Sequence, residues 1–288
     1  MRKSTVLTSA AIALVIGIPA IAHESEVTIT TDGSYRYIES NGIPDHTTGQ
    51  FPNRGNPHQI SEQHHSYRVT LTPELADEPT AIVPGAFGVA LNGIPFDPGT
   101  AEYWNNDRNS GWHYDALGGG RNLGLDQANA HVQPNGSYHY HGTSDALSGH
   151  QDGSAHSALV GYAADGFPVY SIFGYLDAED ATGEIVALTT SYQLRSGTRP
   201  DGPGGTYDGT FNEDFEYVDG LGDLDACNGR FTVTPEYPDG TYAYFLTETY
   251  PYIPRCVSGT PDASFARQPI AGDGPGPRGN RPPRPPRA

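Results

Sequence analysis

Apolar and polar residues alternate along this chain in short bursts rather than long runs. "VTIT" from Val27, "SYRYI" from Ser34, "SYRVTL" from Ser66, "FGVAL" from Phe87, "RFTVT" from Arg230 and "TYAYFLT" from Thr241 all combine period-two patterning with β-branched or aromatic side chains. Between the bursts lie "NG", "DG" and "PG" dipeptides, the residues that tight turns demand. Helical periodicity is scarce, and the best candidate is a short segment from Ala178 to Leu188. The pattern therefore predicts a mostly β protein: one β-sandwich-like or barrel-like domain with long irregular loops. "NGIP" occurs at Asn41 and again at Asn92, but the likeness fades within a few residues, so it predicts two similar turns and no repeat.

The two ends differ from the body. Arg2 and Lys3 precede an apolar run from Val6 to Ile18, and Ala20-Ile21-Ala22 has the small-x-small form of a cleavage site. Residues 1–22 read as a signal peptide, because the run is too short to span a bilayer and no other segment is apolar enough. Residues 272–288, "GDGPGPRGNRPPRPPRA" after Ala271, carry no side chain able to build a core and read as a disordered, polyproline-like tail. That leaves 23–271 as the β domain. The protein is expected to be exported, to a periplasmic or extracellular space.

Charge narrows the partners. The formal charge of −18 becomes −20 once the signal segment, with its two cations and no acids, is removed. Lys3 is the only lysine, so the mature chain has neither a lysine Schiff base nor a lysine general base. Nothing resembles the cationic footprint that nucleic acid requires. Such an acidic surface suits cations, and the arginine-rich tail leaves a cell-surface polymer as a possible partner. The two cysteines, Cys227 and Cys256, are too far apart for a CxxC site. In an oxidising compartment they are most simply one disulfide.

The chemistry concentrates in "HVQPNGSYHYHG", His131 to Gly142. Five of the eleven histidines, His131, His139, His141, His150 and His156, fall in 26 residues, where an even spread would put one. On a strand His139 and His141 project from one face, with Tyr138 and Tyr140 on the other. Loop length decides where His131 goes. A two-residue Asn135-Gly136 turn sets it opposite Tyr140, on the wrong face. A three-residue Pro134-Asn135-Gly136 loop pairs Gln133 with Ser137 and sets His131 across from His139, with Gly136 left-handed. Facing pairs have Cβ atoms about 5 Å apart, close enough for metal–nitrogen bonds of about 2 Å to gather three rings on one ion. The three-residue loop is the favoured register. Three neutral imidazoles suit copper first, in an exported protein, and zinc second.

Other candidates are weaker. His156, opening "HSALVGYAADGFPVY", is a possible fourth ligand, and His150 in "SGHQDG" reads as a loop residue. If the ion activates water or oxygen, Asp126 and Asp165 are candidate acid–base residues by proximity alone. The carboxylates of Asp219 to Asp225 suggest calcium, although they do not follow an EF-hand spacing. His46, His58, His64 and His65 lie in an irregular Pro/Gly-rich segment whose route to the main cluster is not readable. No GxSxG, HExxH, GxGxxG or phosphate-binding GxxxxGK[ST] motif occurs. Three function classes stay open: a metal-binding protein, a metalloenzyme, and a surface or matrix module whose histidines are incidental.

"GSYHYHG" with the upstream "LGLDQANAHVQP", then "HSALVGYAADGFPVY", "YDGTFNEDFEYVDGLGDLDACNGRF" and "TPEYPDGTYAYFLTETYPYIPRC", resemble the exported YHYH protein family. "NGIPDHTTGQFPN" and "GVALNGIPFDPGTAEYW" fit its pattern too, so the resemblance runs from Asn41 to Cys256. It implies export and draws attention to His131, His139, His141 and His156, but it implies no particular activity.

Overall fold

A computed structural model describes residues 24–82 and 85–266. The signal segment and the Pro/Arg tail inferred from the sequence lie outside the described residues.

The chain opens with a three-stranded antiparallel sheet, β1 (Val27–Asp32), β2 (Tyr35–Ser40) and β3 (His65–Thr70). Its inward positions are Ile38, Tyr67 and Val69, all buried, while every residue of the edge strand β1 is exposed. After β4 (Leu75–Ala81), the chain enters a mixed eight-stranded sheet. Its first members are β5 (Gly88–Ala90), β6 (Pro95–Phe96), β7 (Ala130–Val132), β8 (Tyr138–Tyr140), β9 (Leu159–Ala163) and β10 (Pro168–Tyr170). Two ribbons follow: β11 (Phe173–Tyr175) with β12 (Ile185–Ala187), and β13 (Tyr192–Leu194) with β14 (Phe215–Tyr217). Then β15 (Gly229–Thr232) and β16 (Thr241–Phe245) complete the large sheet, and β17 (Cys256–Gly259) returns to pair with β4.

The large sheet runs β15-β16-β10-β9-β5-β6-β8-β7, with parallel pairs at β6/β8 and β10/β16. Its central strands β5, β8 and β10 are buried along their whole length. Protein covers both faces, which is why the sequence there lacks clean alternation. The sheets stay open among the described residues, so the mostly β expectation holds while a closed barrel does not. Glycine permits the tight stacking at the centre. A Cβ on Gly161 would run into the carbonyl of Val89 and the ring of Phe96.

The helix expected over Ala178 to Leu188 does not form; Ile185–Ala187 is strand β12 instead. Asp177 and Asp180 accept hydrogen bonds from the backbone N–H groups of Glu179 and Thr182, and the Gly183 N–H donates to the Asp180 carbonyl. Local side-chain turns there outcompete a short helical pattern. Both "NGIP" segments are turns, with Gly42 and Gly93 at positive φ and Asn41 and Asn92 accepting from Ile43 and Ile94 N–H.

Candidate metal centre

The centre is built on the β7–β8 hairpin at one edge of the large sheet. Gln133 N–H donates to the Ser137 carbonyl, and Gly136 N–H to that of Gln133, closing a three-residue Pro134-Asn135-Gly136 loop. Gly136 has φ +89, and Asn135 Oδ1 accepts the Ser137 N–H. The register sets His131 opposite His139 and Val132 opposite Tyr138, as the loop-length argument requires. His141 follows β8 directly, its N–H bonded to the Asn129 carbonyl.

The far face of the hairpin fixes it in place. Tyr138 and Tyr140 are fully buried. Tyr138 Oη donates to Asp126 Oδ2 at 2.7 Å, and Tyr140 Oη meets His46 Nε2 at 2.8 Å and Asn92 Nδ2 at 2.9 Å. Asp126 also accepts the N–H groups of Gly49, Ala128 and Ala130. Its carboxylate, proposed from sequence as an acid–base group, is spent on bracketing the hairpin.

On the near face three rings converge. The centroids of His131, His139 and His141 are 4.7 Å apart in all three pairings, with interplanar angles of 65°, 83° and 71°. One nitrogen from each ring lies within 4.8 Å of the others. His131 Nε2 and His141 Nε2 stand 3.1 Å apart. Two nitrogens bound to one ion at about 2.05 Å are roughly 2.9 Å apart at right angles, 3.3 Å at tetrahedral angles and 3.6 Å in a trigonal plane. That pair is already at ligand spacing, and His139 completes the group within 4.8 Å.

Proton placement favours the same use. His131 Nδ1 donates to the Leu123 carbonyl at 2.8 Å and His139 Nδ1 to that of Ser137 at 3.3 Å, so each Nε2 carries its lone pair, and that of His131 lies within hydrogen-bond distance, 3.1 Å, of His141 Nε2. His141 Nδ1 is buried and makes no well-aligned hydrogen bond; the Asp97 backbone acts on that ring only weakly. Burial holds the pKa of all three rings below the ordinary imidazole value, and His139 and His141 well below it. The neighbouring imidazoles push the pKa of His139 and His141 down further. All three are neutral at pH 7, the state a ligand requires.

His156, expected as a fourth ligand, is not brought to this group. Ser157 is tied to Phe173 through its backbone and side chain, which turns the His156 ring against Tyr170, Tyr175 and Phe245. His150 is exposed, 3.5 Å from Asp145. Asp165 is buried under β17, accepting from Tyr244 Oη at 2.6 Å and from the Gly259 and Phe167 N–H groups. In the acidic loop Asp219 accepts from Tyr217, Asp223 from Thr189, and Asp225 from Cys227, Gly229 and Tyr242. Its carboxylates serve separate partners instead of facing a common point. Among the described residues, only the three histidines form a group with metal-ligand spacing.

Three of the four upstream histidines reach the site, while His46 is on the far face against Tyr140. A cavity of about 740 Å³ has His131 and His139 in its wall, together with His58, His64 and His65 from the irregular segment and Glu102 from the loop before Tyr103. His65 Nε2 lies 3.5 Å from Ser137 Oγ, and its ring stacks on Tyr67. Burial lowers the His65 pKa to about 4. Glu102 is one of the site-facing charged residues that sequence reasoning missed, with Asp97 and Arg108. It sits in no motif and reaches the cavity only through the path of its loop.

A family model described as YHYH protein matches residues 66–259. The matched span holds the three converging histidines and both cysteines, and it begins just after the segment that carries His46, His58, His64 and His65. No curated protein and no solved structure matches the chain.

Proposed function

The chain belongs to the YHYH protein family, and from that premise we propose that it is an exported metal-binding protein. It holds one transition-metal ion on His131, His139 and His141. The observation that carries this reading is the equal 4.7 Å spacing of three rings, His139 and His141 buried and His131 half-buried, with Nδ1 of His131 and His139 tied to backbone carbonyls. Burying three polar rings together on a hairpin edge is costly unless something satisfies their inward lone pairs, and a cation does so. Copper is placed before zinc, because an all-imidazole site outside the cytoplasm suits it and it stands highest in the divalent affinity order. Two features support export: the sequence of the first 22 residues and the Cys227–Cys256 disulfide. No helix among the described residues is long and apolar enough to cross a membrane.

Metal analysis of untagged protein, as purified and after dialysis against copper or zinc, tests the reading. The expected content is one equivalent, with copper displacing zinc. A preparation that stays metal-free after incubation with either ion refutes it.

A further inference from the structure

We propose that the three-histidine centre is open on one side, and that the adjoining cavity binds a small ligand which coordinates the ion through an anionic donor atom. This rests on the metal-binding reading above and adds to it an exchangeable position and a ligand class.

Three observations lead there. The first is angular. With metal–nitrogen bonds of about 2 Å, ring centres stand roughly 4.5 Å apart for ligands at right angles, 5.2 Å at tetrahedral angles and 5.5 Å in a trigonal plane. The observed 4.7 Å, like the 3.1 Å between His131 and His141 Nε2, falls between the first two. The rings therefore cap an ion from one side and leave the opposite side uncovered.

The second observation is where that side lies. His131 and His139 form part of the cavity wall, whereas His141 does not contribute to it. The ion's uncovered face is toward the cavity. At about 740 Å³ the space falls within the range of small-molecule sites. Stretches far apart in sequence build it, among them the segment carrying His58 and His65, the loop carrying Glu102, the hairpin itself and the turn at Phe265.

The third is charge. The metal-spaced group contains three neutral imidazoles and no carboxylate or thiolate. A dication held there keeps its whole charge in a poorly solvated place, so an anionic donor is strongly preferred as the next ligand. Glu102 faces the same space and acts electrostatically on His131. Its carboxylate opposes that anion, which limits how tightly a simple one binds. The inferred ligand class is a small molecule presenting an ionisable oxygen or nitrogen donor.

Azide is a suitable probe. The full chain is stripped with chelator, reloaded with copper(II) or cobalt(II), and titrated with azide while the visible spectrum is followed. The expected result is a saturable one-to-one spectral change with no loss of metal. Glu102→Gln removes the opposing charge and should tighten azide several-fold at unchanged metal content, a shift that a merely structural glutamate would not produce. A chain holding one equivalent of ion whose spectrum ignores azide overturns the open position. An unchanged azide affinity in Glu102→Gln overturns the cavity as the ligand's site. A chain that takes up no ion refutes the metal reading itself, and this inference with it.

Discussion

His139 is where a single side chain decides most. It is 2% exposed and faces His131 across the hairpin. Replacing it with alanine removes one of three ligands. That should cost more than the roughly 10–100-fold in metal affinity typical of losing an outer-shell partner. His150→Ala, on an exposed loop, should leave affinity unchanged, as should Tyr140→Phe, whose hydroxyl points to His46 and Asn92 on the opposite face. Calorimetric titration of copper into the three chelated variants checks the ordering. Equal losses in His139→Ala and His150→Ala would remove the triad from consideration.

The same burial fixes a pH dependence. In the unfolded chain His65, His131, His139 and His141 titrate near pH 6.5, whereas in the fold burial depresses each, His65 to about 4. Above pH 6.5 both states are neutral and these groups leave stability untouched. As pH falls below 6.5 the unfolded chain takes up protons that the fold refuses, so stability drops toward the folded pKa values. The limiting slope is about 1.4 kcal/mol per pH unit for each group. Melts of chelated protein between pH 7.5 and 5, above the main carboxylate range, should show a melting temperature that starts to fall near pH 6.5. Copper, which stabilises the neutral rings, should delay that fall. A flat profile without metal would mean that the rings are more solvated than the structure has them.

At the scale of elements, the hairpin depends on its loop and its bracket. Gly136 sits at φ +89, and a Cβ there would run into Ser61 Oγ, so Gly136→Ala combines a left-handed strain with a steric conflict. It should destabilise by about 1–3 kcal/mol and weaken metal uptake by disturbing the register. Asp126→Ala strands the Tyr138 hydroxyl and three backbone N–H groups, at a cost of about 1–3 kcal/mol for each group left buried and unpaired. Chemical denaturation of both variants, with and without copper, measures the two effects. This hairpin was readable from sequence because strand alternation and loop length are local rules, and "QPNGS" satisfies only one of the two registers usefully. The β11–β12 ribbon was not. Its Asp177 and Asp180 turns look like the first turn of a helix until their side chains are seen to bond to the backbone two residues on.

Across the whole molecule, legibility falls with sequence distance. The mostly β class followed from turn residues and short apolar bursts, but the open mixed sheet did not. Parallel pairs such as β6/β8 join segments more than forty residues apart, with no local signal. The cavity was hidden for the same reason. His58 and Glu102 come from loops whose paths depend on the packed sheet, His65 opens β3, and His156 shows the converse. It is close to the cluster in sequence, yet a tie between Ser157 and Phe173 directs it into another aromatic group.

The disulfide acts at this scale as well. Cys227 lies just before β15 in the large sheet, and Cys256 begins β17, which pairs with β4. The bond therefore ties the far edge of the sheet that carries the three histidines to the β4–β17 pair, and it encloses the β15–β16 hairpin. Closing a loop with a sequence separation of 29 removes about 3.5 kcal/mol of unfolded-state entropy on the chain-entropy model. Intact-mass analysis after alkylation in denaturant should find no free thiol. A Cys227→Ala/Cys256→Ala double variant should lose stability on that order while retaining copper stoichiometry, because the hairpin that carries the histidines stands at the opposite edge of the eight-stranded sheet. Loss of metal together with the disulfide would mean that the two edges are coupled through the sheet, and that the centre depends on the oxidised fold.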